Sequence, residues 1–256
     1  MRRATLLLTF LFTLILVGAP VSAEDFRIDT DYFVGNEKEP RAEILTVFHQ
    51  GNVYDLQLKQ AEVTLFEPRR GMITLLDARR ELRASLTTTE LLDAAVSLQT
   101  KAVQDGDPIF AAAAKPSFQL TSESSTENSV AETKLTFAGA PLQYTVTGQP
   151  SRHPDAARDF KYFADWSARL NSVRPGNLPA GARLEVNEAL AAKSLLPARV
   201  ELVIHTGKIG PRSKVEMHTQ HLVNWTLSQD DRRRIDEVGN QLAKFRLVSF
   251  DEYVKP

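Results

Sequence analysis

The chain has 256 residues, of which 43% are hydrophobic and 25% are charged. These are ordinary globular values, so they exclude a disordered or fibrous chain. With 31 Lys and Arg against 32 Asp and Glu, the net charge of −1 argues against a nucleic-acid-binding protein, which needs a basic surface. The sequence contains no cysteine, which excludes disulfides, thiolate metal ligands, a cysteine nucleophile and a lipid-modified N-terminal cysteine.

Residues 1–23 are typical of a cleaved secretory signal. Arg2 and Arg3 give a basic start, an apolar run follows over 4–17, and small residues end the segment at Ala23. The alternative is an uncleaved membrane anchor, but the run is shorter than the ~20 residues that span a bilayer. We therefore expect a single mature domain, residues 24–256, that is periplasmic or secreted and has no stable membrane span after signal cleavage.

The residues that follow predict a β-meander and then a helix. Short runs of alternating apolar and polar residues are separated by Gly, Pro and Asx turns, the pattern of antiparallel strands with one buried face. The predicted strands are 26–34, 43–49, 53–59, 62–66, 72–76 and 81–86. Thr87 and Glu90 form a capping box, which predicts a helix that ends near Gly106.

The second half mixes strands and helices. Strands are predicted at 118–121, 133–137, 142–147, 199–206 and 214–225, a flexible polar hairpin tip at 122–129, and an edge strand at 246–253. Helices are predicted from Pro154 to about residue 173, over 185–193, and after a cap at Ser228. The predicted fold class is α+β: a strongly curved antiparallel half-barrel of about 10–11 strands, covered on its concave face by 3–4 helices.

The histidines do not predict a metal site. His218 and His221 are three residues apart on a predicted strand, so they lie on opposite faces, with His221 on the inner side beside Met217. Asp29 and Asp31 form a carboxylate pair, but no further oxygen ligands follow at a cation-binding spacing. We expect no metal and no cofactor.

Known catalytic templates are also missing from the sequence. It has no Gly-x-Ser-x-Gly elbow, His-Glu-x-x-His helix or phosphate-binding loop. A hydrolase assembled from distant residues stays open, and it requires His205, His218 or His221 to meet a carboxylate and a hydroxyl.

Aromatic residues are concentrated in the helix predicted after Pro154. Phe160 and Phe163 fit its core face, and Tyr162 and Trp166 extend the apolar surface beyond an ordinary stripe. One interpretation is a helix packed onto the sheet. The functional interpretation is a lid over an apolar groove, because Tyr and Trp suit a site with one dry and one wet side.

The stretches 51–55, 63–68 and 74–77, with the helix at Glu90, resemble the periplasmic lipoprotein-carrier superfamily, the LolA-like half-barrels. The resemblance implies a curved sheet whose apolar concave face holds acyl chains beneath helices. The chain departs from the family in having no N-terminal helix between Ala23 and Phe26 and extra helices after Pro154. No position matches the family's ligand-gating arginine, so no site residue is carried over.

We expect an exported, non-enzymatic binding protein that holds a lipid or lipoprotein acyl moiety between sheet and helices. Its partners would be lipid, lipoprotein or other envelope proteins, and not nucleic acid. The alternative is a cell-envelope structural or interaction domain with a solid core and no ligand. The predicted lining consists of inward-facing strand residues and two aromatic helix residues: Tyr54, Leu56, Leu58, Val63, Leu65, Ile73, Leu75, Tyr144, Val146, Phe163, Trp166 and Met217.

Overall fold

The computed structural model describes residues 25–127, 130–207 and 213–255, so the predicted signal lies outside the described residues. The strands are β1 Phe26–Val34, β2 Ala42–His49, β3 Asn52–Gln57, β4 Glu62–Glu67, β5 Met72–Asp77, β6 Leu82–Thr87, β7 Gln119–Glu127, β8 Val130–Ala138, β9 Leu142–Pro150, β10 Leu195–His205, β11 Lys214–Asn224 and β12 Arg246–Leu247. The helices are α1 Thr88–Gln104, α2 Pro108–Ala114, α3 Pro154–Ser172, α4 Gly181–Ala192, α5 Gln229–Lys244 and α6 Phe250–Tyr253.

All twelve strands belong to one sheet. Its order is β12-β6-β5-β4-β3-β2-β1-β11-β10-β9-β8-β7. Each neighbouring pair is antiparallel except β12 and β6, which are parallel, so the sheet is mixed. The meander β1–β6 and the strands β7–β10 are joined through β11, which pairs with both β1 and β10.

The predicted half-barrel is therefore wrong. The sheet is broad and is not closed into a barrel, and the described residues form twelve strands and six helices. Those helices cover both faces of the sheet, because the meander strands carry buried apolar side chains on both sides. On β5, Ile73 and Leu75 belong to one core while Leu76 belongs to another. The prediction assigned every alternating strand a single buried face and so placed all helices together.

Two local predictions also need correction. The edge strand predicted at 246–253 is only two residues long, and α6 follows it because the Ser249 hydroxyl accepts the Glu252 amide and caps a helical turn. Helix α2 was not predicted, although Asp107 caps it through the amides of Ile109 and Phe110. The capping box at Thr87 and the cap at Ser228 are confirmed, and Asp231 makes the latter a capping box as well.

Two separate cores lie on the face that α1–α4 cover, which we call the inner face. In the first core, Phe26, Phe48 and Phe66 pack against Phe160 and Phe163 of α3. The second core lies under α2 and α4 at the other end of the sheet. It includes Leu135, Phe137, Leu142, Val146, Val186 and Leu190.

The third core lies on the opposite, outer face, between the meander and α5. There Val47, Leu65 and Leu76 pack with Val238 of α5. The buried Asp231 holds the start of this helix in place. Its carboxylate accepts the Ser228 amide and pairs with Arg27 of β1 at 2.8 Å. Among the described residues, no helix has the length and apolarity required to span a membrane.

Candidate functional site

The two inner-face cores do not meet over the middle of the sheet. Between them, inward-facing side chains of β11, β1, β2, β3 and β4 keep part of their surface accessible. We call this half-buried set the central strip. It comprises Tyr32, Ile44, Asp55, Thr64, Met217, Thr219 and His221. Since sheet–helix interfaces are normally close-packed, the strip is where a ligand can contact the sheet.

His221 forms the polar centre of the strip. Its Nδ1 lies 2.9 Å from the Thr30 hydroxyl on β1, and its Nε2 lies 2.7 Å from the Thr219 hydroxyl on its own strand. Burial, with a contribution from the positive charge of Arg183, lowers the pKa of His221 to about 3. The imidazole is therefore neutral at physiological pH and held in one orientation by two hydroxyls.

Arg183 of α4 faces this histidine without a partner of its own. Among the described residues its guanidinium makes no hydrogen bond and no ion pair, and the Tyr144 hydroxyl beside it makes no hydrogen bond. Burial lowers the pKa of Arg183, and Tyr144 and Asp165 are the charged or titratable groups that oppose that effect. Asp165 is already bonded, to Lys161 Nζ at 2.8 Å and to Asn187 Nδ2 at 2.9 Å.

A carboxyl group occupies the other end of the strip. Asp55 Oδ1 accepts a hydrogen bond from the Thr46 hydroxyl at 2.6 Å. Burial raises the pKa of Asp55 to about 6, although Thr46 and the nearby Arg174 favour the ionised form. Three strand spacings separate β3 from β11, so Asp55 and His221 lie about 14 Å apart across the sheet. The strip therefore has a basic end and an acidic end.

A cleft of about 290 Å³ lies where Arg174 approaches the acidic end. Arg174 contacts Glu62 at 3.4 Å, while its buried Nε and the buried hydroxyl of Tyr253 have no hydrogen-bond partner. Arg80 donates to the main-chain oxygens of Tyr253 and Lys255, both at 2.6 Å, and so fixes the C-terminal segment as one wall.

The structure distributes the predicted lining residues over three cores instead of one surface. Tyr54, Leu56, Val63 and Leu65 belong to the third core on the outer face, and Leu58 is exposed. The first core contains Ile73, Leu75, Phe163 and Trp166, and the second contains Tyr144, Val146 and Met217. Only Met217 belongs to the central strip, and Tyr144 borders its basic end.

Neither Arg183 nor Asp55 is among the site residues predicted from the sequence. Arg183 and Asn187 are polar residues on the apolar stripe that Ala182, Val186 and Leu190 form on α4, and this interruption was the available signal. Asp55 was assigned to the solvated face of its strand, because Tyr54 and Leu56 were assigned to the inner one. The structure reverses these faces.

The predicted placement of two histidines on opposite faces is confirmed. His218 stacks on Phe33 of the outer face with ring centroids 4.7 Å apart, whereas His221 bonds Thr30 on the inner face. The hydrolase alternative requires a histidine that bonds both a carboxylate and a hydroxyl. Among the described residues, none of His205, His218 and His221 does so, and His205 is exposed. No cluster of three or more potential metal ligands occurs in those same ranges.

No family model and no curated protein matches this chain. Among solved structures, it is similar to one described as "Structure of PNGF-II in C2 space group", with 10% identity and a TM-score of 0.39. The match covers 89% of this chain and 31% of that one, so the chain spans less than a third of the structure that it matches. A likeness at this TM-score indicates neither a shared fold nor a shared function.

Proposed function

We propose that this chain is an exported, non-enzymatic binding protein that holds a lipid or acyl moiety over the central strip. The observation that carries the proposal is the gap between the first and second cores. Ile44 belongs to neither core and Met217 lies at the edge of the second, and both side chains remain half-buried on the inner face. An acyl chain that covered them would gain about 0.8 kcal/mol for each buried methylene.

The resemblance of the meander residues to the lipoprotein carriers supports the same location. It implies an acyl ligand between sheet and helices, although the half-barrel shape that it also implied is wrong. The polar side chains of the strip fit a ligand with a polar end better than a wholly apolar one. A small number of polar groups in an otherwise apolar site is the usual composition of a ligand pocket.

Lipid extraction of the purified mature protein, followed by mass spectrometry, tests this function. We expect an extractable lipid, and we expect the delipidated protein to enhance the fluorescence of the uncharged probe N-phenyl-1-naphthylamine. Met217→Trp would fill the strip and abolish the enhancement. Leu222→Trp changes the same strand on the outer face, where Leu222 is 65% exposed, and should keep it. Absence of both lipid and probe binding from the wild type would refute the proposal.

An exposed apolar stripe on α1 favours the alternative, an envelope interaction domain. Leu92, Val96 and Val103 share one side of the helix and are 40%, 51% and 46% exposed. Val96 and Val103 line a groove of about 390 Å³ together with Lys115. A photoreactive residue at position 96 should then crosslink an envelope protein in intact cells, whereas one at the exposed Arg232 should not.

A further inference from the structure

We propose that the ligand of the central strip is an amphiphile with one anionic head group, a carboxylate or a phosphate, which Arg183 and Tyr144 bind. This inference rests on the proposed function and names the chemistry of its ligand. The apolar part would lie over Met217 and Ile44, away from α4.

Arg183 forms no hydrogen bond with any described residue. A guanidinium carries five N–H donors and stays charged, and Arg183 is only half-buried, so donors that no described protein group accepts are available to a ligand. No described residue supplies an acceptor, because the contacts of Asp165 are with Lys161 and Asn187. Arginine donors form a planar fork that matches the two oxygens of a carboxylate or phosphate.

The one negative charge that acts on Arg183 among the described residues is Asp165, which Lys161 and Asn187 already engage. The Tyr144 hydroxyl has no hydrogen-bond partner among the described residues and can donate to the same anion. His221 is neutral, and both of its ring nitrogens are engaged by hydroxyls. A cationic donor, a free phenol and a neutral imidazole therefore form a site for an anion.

The acidic end of the strip fixes the direction in which the ligand lies. At that end Arg174 is already paired with Glu62 and lies near the carboxyl of Asp55, whereas Arg183 faces His221, whose strand is three strand spacings, roughly 14 Å, from that of Asp55. The apolar side chains Met217 and Leu202 lie close to the basic end on the inner face. A head group at Arg183 thus places the start of the chain over an apolar surface.

The experiment compares three twelve-carbon probes by isothermal titration of the delipidated mature protein: laurate, dodecyl phosphate and dodecanol. We expect the wild type to bind the two anions about ten- to a hundredfold more tightly than dodecanol, the effect of a charged hydrogen bond. If it binds all three equally, the inference fails and the proposed function stands. If it binds none of them, both fail.

Variants identify the residues responsible. Arg183→Met should remove the preference for the anions while dodecanol binding is unchanged, and Tyr144→Phe should reduce the preference a few fold. Arg232→Met on the exposed side of α5 should change nothing. Because Arg183 bonds to none of the residues that the structure describes, the Arg183→Met variant should unfold without ligand at a temperature no lower than the wild type. An undiminished preference in folded Arg183→Met would overturn the assignment.

Discussion

The two halves of the sheet share the same antiparallel pairing but differ in how many of their faces are covered. In the meander half, α3 covers the inner face and α5 covers the outer face, so the protein has three layers there. In the half formed by β8, β9 and β10, α2 and α4 cover the inner face, and polar residues such as Thr145 and Glu201 occupy the outer one.

This difference is visible strand by strand. On β5 the five residues from Ile73 to Asp77 are all buried, whereas β9 alternates between buried and partly exposed positions. A strand between two layers must bury both sets of side chains, and a strand with one solvated face buries only every second one. The central strip lies where the two arrangements meet. It therefore occurs at the junction of two separately packed cores, with Met217 at the edge of the second.

The largest difference in the free energy of unfolding should be between truncations of a buried and an exposed leucine on the outer face. Leu76→Ala removes a fully buried side chain beneath α5 and should lower the free energy of unfolding by about 2–5 kcal/mol, because a cavity remains. Leu222→Ala, on β11 beyond the reach of the third core, should change it by less than about 0.5 kcal/mol. Urea denaturation measures both values, and equal losses would contradict the three-layer description.

The buried carboxyl of the strip predicts an unusual dependence of stability on pH. The folded protein ionises Asp55 near a pKa of about 6, and the unfolded chain does so near the ordinary value of 3.8. Burial thus disfavours the folded state above that range, so stability is fullest at lower pH and falls as the pH rises towards 6.

Asp55→Asn should therefore raise the free energy of unfolding by about 1–3 kcal/mol near pH 8 and leave it unchanged near pH 4. Asp31→Asn, which alters an exposed carboxylate on the outer face, is the control and should stay within about 0.5 kcal/mol at both pH values. Chemical denaturation at the two pH values provides the measurement. A parallel shift of Asp55→Asn at both would show that the charge is not responsible.

The smallest effect should come from the two capping boxes. Ser228→Ala and Thr87→Ala each remove the hydroxyl that accepts an amide in the first turn, and each should cost about 1 kcal/mol. Their local consequences should differ, because α5 covers the outer face of the meander alone. Hydrogen exchange should accelerate in β2–β5 for Ser228→Ala only. The same acceleration in both variants would mean that α5 is not a separate layer.

Most elements could be predicted locally. The strand Phe26–Val34 and the helix Pro154–Ser172 were predicted to within one residue, because alternation, proline placement and caps act over a few neighbouring residues. The candidate site could not be predicted in this way. Its basic end consists of residues from α4, β9 and β11, and its acidic end consists of residues from β2 and β3. No local sequence pattern relates these elements.

The amino-acid sequence by itself determined that strands and helices alternate, where the caps lie, and that His218 and His221 point in opposite directions. Only the tertiary structure decided which face of each strand is inner, that α5 lies opposite α1–α4, and that Arg183 faces His221 and bonds to no other described residue. The physical reason is that alternation with a period of two residues separates the two faces of a strand but does not show which of them is the inner face. Which face is inner or outer depends on the helices that pack against it, and those contacts join residues far apart in the chain.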